Sequence, residues 1–165
     1  MPPKNARSRS KCLIREASLA DLPEIMRHRR EMFRDMGQTD PAALAAMECT
    51  SGTFIRESMA ARKLITWFAE TSDAKIAGGV AVLVHPWLSS PRDPRAERAY
   101  ILNMYVSPEH RRKGIACQLM KRVLDWCRAE GFRAVYLHAS DAGRPLYEQL
   151  GFKPTNEMRL ELSVE

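Results

Sequence analysis

Met104-Tyr105-Val106-Ser107-Pro108-Glu109-His110-Arg111-Arg112-Lys113-Gly114-Ile115-Ala116 is the stretch on which the fold turns. A run of β-formers, Ala99 to Val106, leads into a short basic loop, and the loop opens a long helix, Gly114 to Glu130. Ile115, Leu119, Val123, Trp126 and Cys127 mark the apolar face of that helix, and Gly131 ends it. The first amides of a helix have no backbone acceptor and lie at the positive end of its dipole. Pointed into such a loop, they make a ready site for a diphosphate. Gly114 has no side chain and Ala116 a small one, so a phosphate can come close to the backbone. Arg111, Arg112 and Lys113 add positive charge at the rim. The loop is neither a Walker loop nor a G-x-G-x-x-G dinucleotide turn.

Working outward, Ala134 to Ala139 reads as the next strand, so that strand, helix and strand form a right-handed parallel crossover. Gly143 to Leu150 is a short helix stopped by Gly151. Met158, Leu160, Leu162 and Val164 alternate as a C-terminal strand would. Upstream, Cys12 to Glu16 is a first strand. Asp21 to Met36 is helical, with Leu22, Ile25, Met26, Met32, Phe33 and Met36 on one face. Ser18 or Asp21 caps it, Pro23 sits in its first turn and Gly37 closes it. Asp40-Pro41 starts a second helix, and Phe54 to Arg62 is helical with Phe54, Ile55 and Met59 inward. Leu64 to Glu70 and Lys75 to Val84, joined by Thr71 to Ala74, form an antiparallel hairpin. Gly78-Gly79 marks a bulge or a close backbone approach. His85 to Arg98, with three prolines, is a long exposed loop. The expected architecture is one α/β domain over residues 12–165, with a mixed sheet, behind a disordered basic tail at residues 1–11.

The chain has 165 residues, 45% hydrophobic and 28% charged, which suits one soluble domain. The formal net charge is +6, but Lys4, Arg7, Arg9 and Lys11 of the tail carry four of the positive charges. The basic helix segment Arg27-His28-Arg29-Arg30 has no aromatic interleaving and reads as a solvated face rather than a nucleic-acid surface. Cys12, Cys49, Cys117 and Cys127 have no metal-ligand spacing and read as reduced thiols of a cytoplasmic protein. No metal site and no transmembrane helix are expected.

A second motif follows the basic loop. Arg111 to Ala116 gives R-x-x-G-x-A, and one helix and one strand later stands Leu146-Tyr147-Glu148-Gln149-Leu150-Gly151-Phe152. Together, and in this order, they resemble the acetyl-CoA loop and the "LYExLGF" segment of the GNAT superfamily of N-acetyltransferases. The likeness runs from about Leu13 to Leu162. It implies a mixed, mostly antiparallel sheet whose two central parallel strands, Ala99–Val106 and Ala134–Ala139, splay to admit acetyl-CoA. It implies that backbone groups of Met104 and Val106, with Tyr105 between them, line the pantetheine arm, and that amides from Arg111 through Arg112, Lys113, Gly114, Ile115 and Ala116 to Cys117 bind the pyrophosphate. Tyr147 matches the family tyrosine near the thioester sulfur and becomes the expected general acid. Where many members carry Asn beside the pantetheine, this chain has Ser140 or Asp141.

The reaction so implied is direct transfer of an acetyl group to a primary amine, a small molecule rather than a protein. Cys117 reads as a small filler residue and not as a nucleophile. No carboxylate lies in the middle of Ala99–Val106. Glu97 is the first candidate base, with Glu70 and His138 behind it and a water chain as the other route. Asn103 and Tyr105, alternating with apolar neighbours, face either the acceptor or ordinary packing. A non-catalytic acyl-CoA sensor and a nucleic-acid-binding protein are the competing readings. A homodimer stays open.

Overall fold

The computed structural model describes residues 12–162. Five strands form one sheet in chain order: β1 (Leu13–Glu16), β2 (Leu64–Glu70), β3 (Ile76–Pro86), β4 (Glu97–Val106) and β5 (Val135–Leu137). β1 to β4 pair antiparallel, and β5 joins β4 in parallel. The helices are α1 (Leu22–Asp35), α2 (Pro41–Ala60), α3 (Ile115–Ala129) and α4 (Arg144–Gln149).

β2 explains why helices cover both faces of the sheet. Every residue from Leu64 to Ala69 is buried, which a strand achieves only when both faces are packed. Ile65, Trp67 and Ala69 join Ile115, Leu119, Met120, Val123 and Cys127 of α3 in one core. Leu64 and Phe68, pointing the other way, join Ile25 of α1 and Ile55 of α2 in a second.

Two irregularities shape the sheet. Gly78 and Gly79 sit where β3 passes close to its neighbours: a Cβ on Gly78 would lie 2.6 Å from the Tyr105 carbonyl oxygen. Opposite Val80, β4 carries an extra residue, so that Asn103 and Met104 face one residue of β3. Asn103 takes a left-handed φ of 53° there, which asparagine tolerates better than most residues. This bulge changes which way β4 points. Ile101 belongs to the α3 core, and strict alternation would put Tyr105 on the same side. Instead the Tyr105 ring lies against His28 of α1, 5.0 Å between centroids.

Several expectations shift. The second helix is one continuous helix, α2, from its Asp40 cap, where Oδ1 accepts from the Ala42 amide, to Ala60. Phe54 is half exposed on its outer face rather than inward. Of α1, only Ile25 and His28 are fully buried, and Met36 is exposed. The strand after α3 is three residues long, Val135–Leu137. Met158, Leu160 and Leu162 alternate as expected but form no strand: they are exposed. Alternation defines a face, whereas a strand also needs a partner ladder, and β5 offers a short edge. The loop His85–Arg98 narrows to residues 87–96, because the β3–β4 ladder continues to the pair Pro86–Glu97. Val164 and the basic tail lie outside the described residues.

Gly78→Ala tests the close approach. The added methyl meets backbone, which yields little, so a loss of about 1–3 kcal/mol is expected. The urea midpoint reads it, and an unchanged midpoint refutes the tight β3–β4 contact.

Candidate functional site

β4 and β5 are paired only at Ala99–Val135, Tyr100–Tyr136 and Ile101–Leu137. Beyond Ile101 the strands part, and the edge of β4 from Leu102 to Val106 loses its partner on that side. The chain then turns through Pro108–His110 and enters α3 with φ of 62° at Arg112 and 79° at Gly114. Gly114 is the N-cap, a conformation that favours glycine, and no side chain caps the helix. The amides of Ile115, Ala116 and Cys117 have no acceptor among the described residues. They are the free positive end of a 15-residue helix.

The basic residues of the loop divide their tasks. Arg111 folds back: its Nε donates to the Val106 carbonyl at 2.8 Å, and its guanidinium pairs with Asp35 of α1. Lys113 Nζ donates to the Glu109 carbonyl at 2.8 Å. Both brace the loop, and Arg112 is left exposed. Cys117 is exposed as well, so it fills no gap.

Past the end of β5 the chain reaches Ser140 and Tyr147. Ser140 Oγ accepts from the Gly143 amide at 3.2 Å, opening α4. A Cβ on Gly143 would lie 3.0 Å from the Tyr147 ring and 3.2 Å from Ser140 Oγ, so the two side chains flank this glycine. Tyr147 is buried, its ring 5.9 Å from that of Phe152, and burial pushes its hydroxyl pKa up. It stays protonated at neutral pH. Asp141 is exposed.

The candidate bases are held elsewhere. Lys63 Nζ donates to Glu97 at 2.6 Å, which holds that carboxyl below the usual range, with burial opposing. Glu97 precedes Ile101 by four residues, roughly 13 Å along the strand. Glu70 pairs with Arg15 at 2.8 Å. His138 follows β5 directly, and its Nδ1 meets the Tyr100 hydroxyl. Among the described residues no group of three or more His, Cys, Asp or Glu side chains could hold a metal ion.

The other side of β4 carries groups the sequence reading passed over. Arg27 and Arg30 of α1 are exposed and paired with Glu24 and Glu48. His28 and Arg29 turn inward. His28 is 2% exposed, between the rings of Phe68 and Tyr105. Arg29 NH1 donates to Asn103 Oδ1 at 2.7 Å and its Nε to Ser51 Oγ at 3.1 Å. Asn103 and Tyr105 thus face α1. The signal was available: Ile25, His28, Arg29, Met32 and Phe33 follow i, i+3, i+4, i+7, i+8, the spacing of one helix face. The run of three arginines around one histidine concealed it.

Residues 22–152 match the Acetyltransferase (GNAT) family. The chain is 33% identical over 115 residues to human N-acetyltransferase 8, covering 66% of this chain and 48% of that protein. It is 35% identical over 96 residues to human N-acetyltransferase 8B, 55% and 39% of the two. It spans less than half the length of these curated relatives. Among solved structures it resembles a GCN5-related N-acetyltransferase from Ralstonia eutropha JMP134, with a TM-score of 0.85, 33% identity, and 92% and 99% of the two chains covered. It also resembles a predicted acetyltransferase with acetyl-CoA from Clostridium acetobutylicum, with a TM-score of 0.83, 25% identity, and 93% and 96% covered.

His28 makes stability depend on pH. Burial lowers its pKa from 6.5 to about 4, against the opposing pull of Glu24. Between those values the unfolded chain binds the extra proton, so stability falls as pH drops from about 6.5 towards 4, by up to about 3 kcal/mol. Urea midpoints at pH 7 and 4.5 should show His28→Gln losing less than the unsubstituted protein. Carboxylates such as Glu24 contribute to both, so the difference reads His28, and parallel losses refute the burial effect.

Proposed function

The chain belongs to the Acetyltransferase (GNAT) family, and from that premise we propose that it transfers the acetyl group of acetyl-CoA to a primary amine by direct attack, in the cytoplasm. The observation that carries this reading is the parting of β4 from β5 beyond Ile101 and Leu137, directly before the uncapped N-terminus of α3. An open strand edge offers backbone partners to the amide-bearing pantetheine arm, and free helical amides suit its pyrophosphate. Bound there, acetyl-CoA supplies a thioester carbonyl for the neutral amine and a thiolate leaving group.

In this reading, backbone groups of Met104 and Val106, beside Tyr105, hold the pantetheine and polarise the carbonyl. The loop and helix start from Arg111 to Cys117 hold the diphosphate, with Arg112 the exposed cation at its rim. Tyr147, kept protonated by burial, gives its proton to the departing thiolate. Ser140, hydrogen-bonded to the start of α4, flanks the same opening, and Asp141 beside it is the other residue in place of the family asparagine. With Glu97 tied to Lys63, proton removal from the amine falls to ordered water, the second route open from the sequence. The four cysteines are free thiols, which fits a reducing compartment.

Saturating acetyl-CoA, about 100 times its dissociation constant, should raise the melting temperature by about 5–10 °C. Gly114→Glu, which sets a carboxylate in the diphosphate position, should abolish that rise. A full rise in the variant would refute the placement of the loop.

Tyr147→Phe keeps the ring against Phe152 and removes the proton. Turnover, read as thiol release, should fall about 10²-fold or more, with the acetyl-CoA melting shift kept. Equal turnover would overturn the acid role. A melting shift without turnover of any amine would favour the acyl-CoA sensor.

A further inference from the structure

We propose that the acceptor amine carries a carboxylate beside an apolar group, as an apolar amino acid does, and that Arg29 binds that carboxylate. This rests on the acetyltransferase reading above and names its substrate class.

The first ground is charge. Burying a cation is costly unless an anion accompanies it. The other arginines of α1 obey this even near water: Arg27 pairs with Glu24, Arg30 with Glu48 and Arg34 with Glu31. Arg29 is the more enclosed, half-buried where those three are exposed, and desolvation lowers its pKa. Yet no carboxylate among the described residues lies within ion-pair distance of it. Its partners are neutral: Asn103 Oδ1, Ser51 Oγ and the Phe33 ring, 5.0 Å from the guanidinium carbon. These orient the guanidinium and leave its charge unmatched.

The second ground is the donor set. A guanidinium has five N–H groups. Two are used, one each on Nε and NH1, and the other three have no acceptor among the described residues. Because Oδ1 of Asn103 accepts from Arg29, its Nδ2 is the remaining donor, and Nδ2 is buried without a partner. The unpartnered N–H groups of this cluster, beside a positive charge, are matched to an anion. One guanidinium suits the single charge of a carboxylate better than the near-double charge of a phosphate monoester.

The third ground is place. Asn103 forms the β4 bulge where β4 leaves β5, so Arg29 stands beside the strand proposed to hold the thioester. Phe33, the ring under Arg29, also lines an open cavity of about 390 Å³ with Met36, Leu44 and Met47. A carboxylate on Arg29 leaves an attached apolar side chain next to that cavity.

The test compares kcat/KM for leucine, methionine and phenylalanine with their carboxamides, using acetyl-CoA and thiol release. The carboxamides have the more readily deprotonated amines, so basicity works against the expected order. The acids should be preferred by about 10- to 100-fold, the worth of a charge-assisted contact. Arg29→Gln should bring the ratio near one, and Arg29→Lys should keep part of it. The acetyl-CoA melting shift should persist in both. A ratio near one in the unsubstituted protein, a ratio unchanged in Arg29→Gln, or turnover of neither series despite a melting shift overturns the inference. The unsubstituted ratio decides alone if the variants do not fold. Absence of any acetyl-CoA shift defeats the acetyltransferase reading itself and this inference with it.

Discussion

One extra residue in β4 controls the geometry on both sides of the strand. At Asn103 the backbone takes a left-handed turn, and two residues of β4 oppose Val80 alone. A bulge bends its strand and re-aims the side chains after it. Here it carries Tyr105 over to α1, while Met104 and Val106 pack on the α3 side. It begins two residues past the last β4–β5 pair. The same local distortion therefore coincides with the opening of the sheet and brings polar groups of β4 and α1 together. Left-handed φ in a non-glycine residue needs support from its surroundings. Arg29 provides some of it, by donating to the Asn103 side chain at 2.7 Å.

Charge is distributed in keeping with that opening. Arg111, a basic residue of the loop, ties it to Asp35 and to the Val106 carbonyl. It thereby joins the end of β4 to α1, and in the proposed site a diphosphate would be left mainly to backbone amides. Backbone donors at a helix start are fixed by the fold and lose little entropy on binding, whereas a long arginine must be ordered. His28, beneath Tyr105, is neutral because the cost of its burial outweighs the pull of Glu24, 3.2 Å from its Nε2. Neutral packing on one residue of α1 and an unmatched cation on the next give that face two different characters.

The half of the site on the α3 side was legible in the sequence because it is local. Gly114 at the start of the helix, the small Ala116 and the apolar spacing of α3 all lie in one short run of chain, and Ile115, Leu119, Val123 and Cys127 are buried as that spacing predicts. Leu64–Glu70 was legible because β-formers run unbroken between turn signals. What failed depended on distant partners. Met158 to Leu162 alternates, but no ladder takes it up. Phe54 has the right period and points to water, since α2 continues straight through where two helices were expected.

The proposed acceptor side was hidden by composition more than by distance. A run such as Arg27-His28-Arg29-Arg30 invites a single judgement, solvated, because its residues share a type. Helical geometry separates them by about 100° each, so neighbours in sequence point to different surroundings. Arg27 and Arg30 find acids at the surface, and His28 and Arg29 follow Ile25 inward. A charge on the same face as a run of apolar residues is therefore a different object from a charge opposite them. It must be matched within the protein or by something that binds. For Arg29 the described residues offer orientation by Ser51, Asn103 and Phe33 without an opposing charge, and the carboxylate of the proposed acceptor would supply the match.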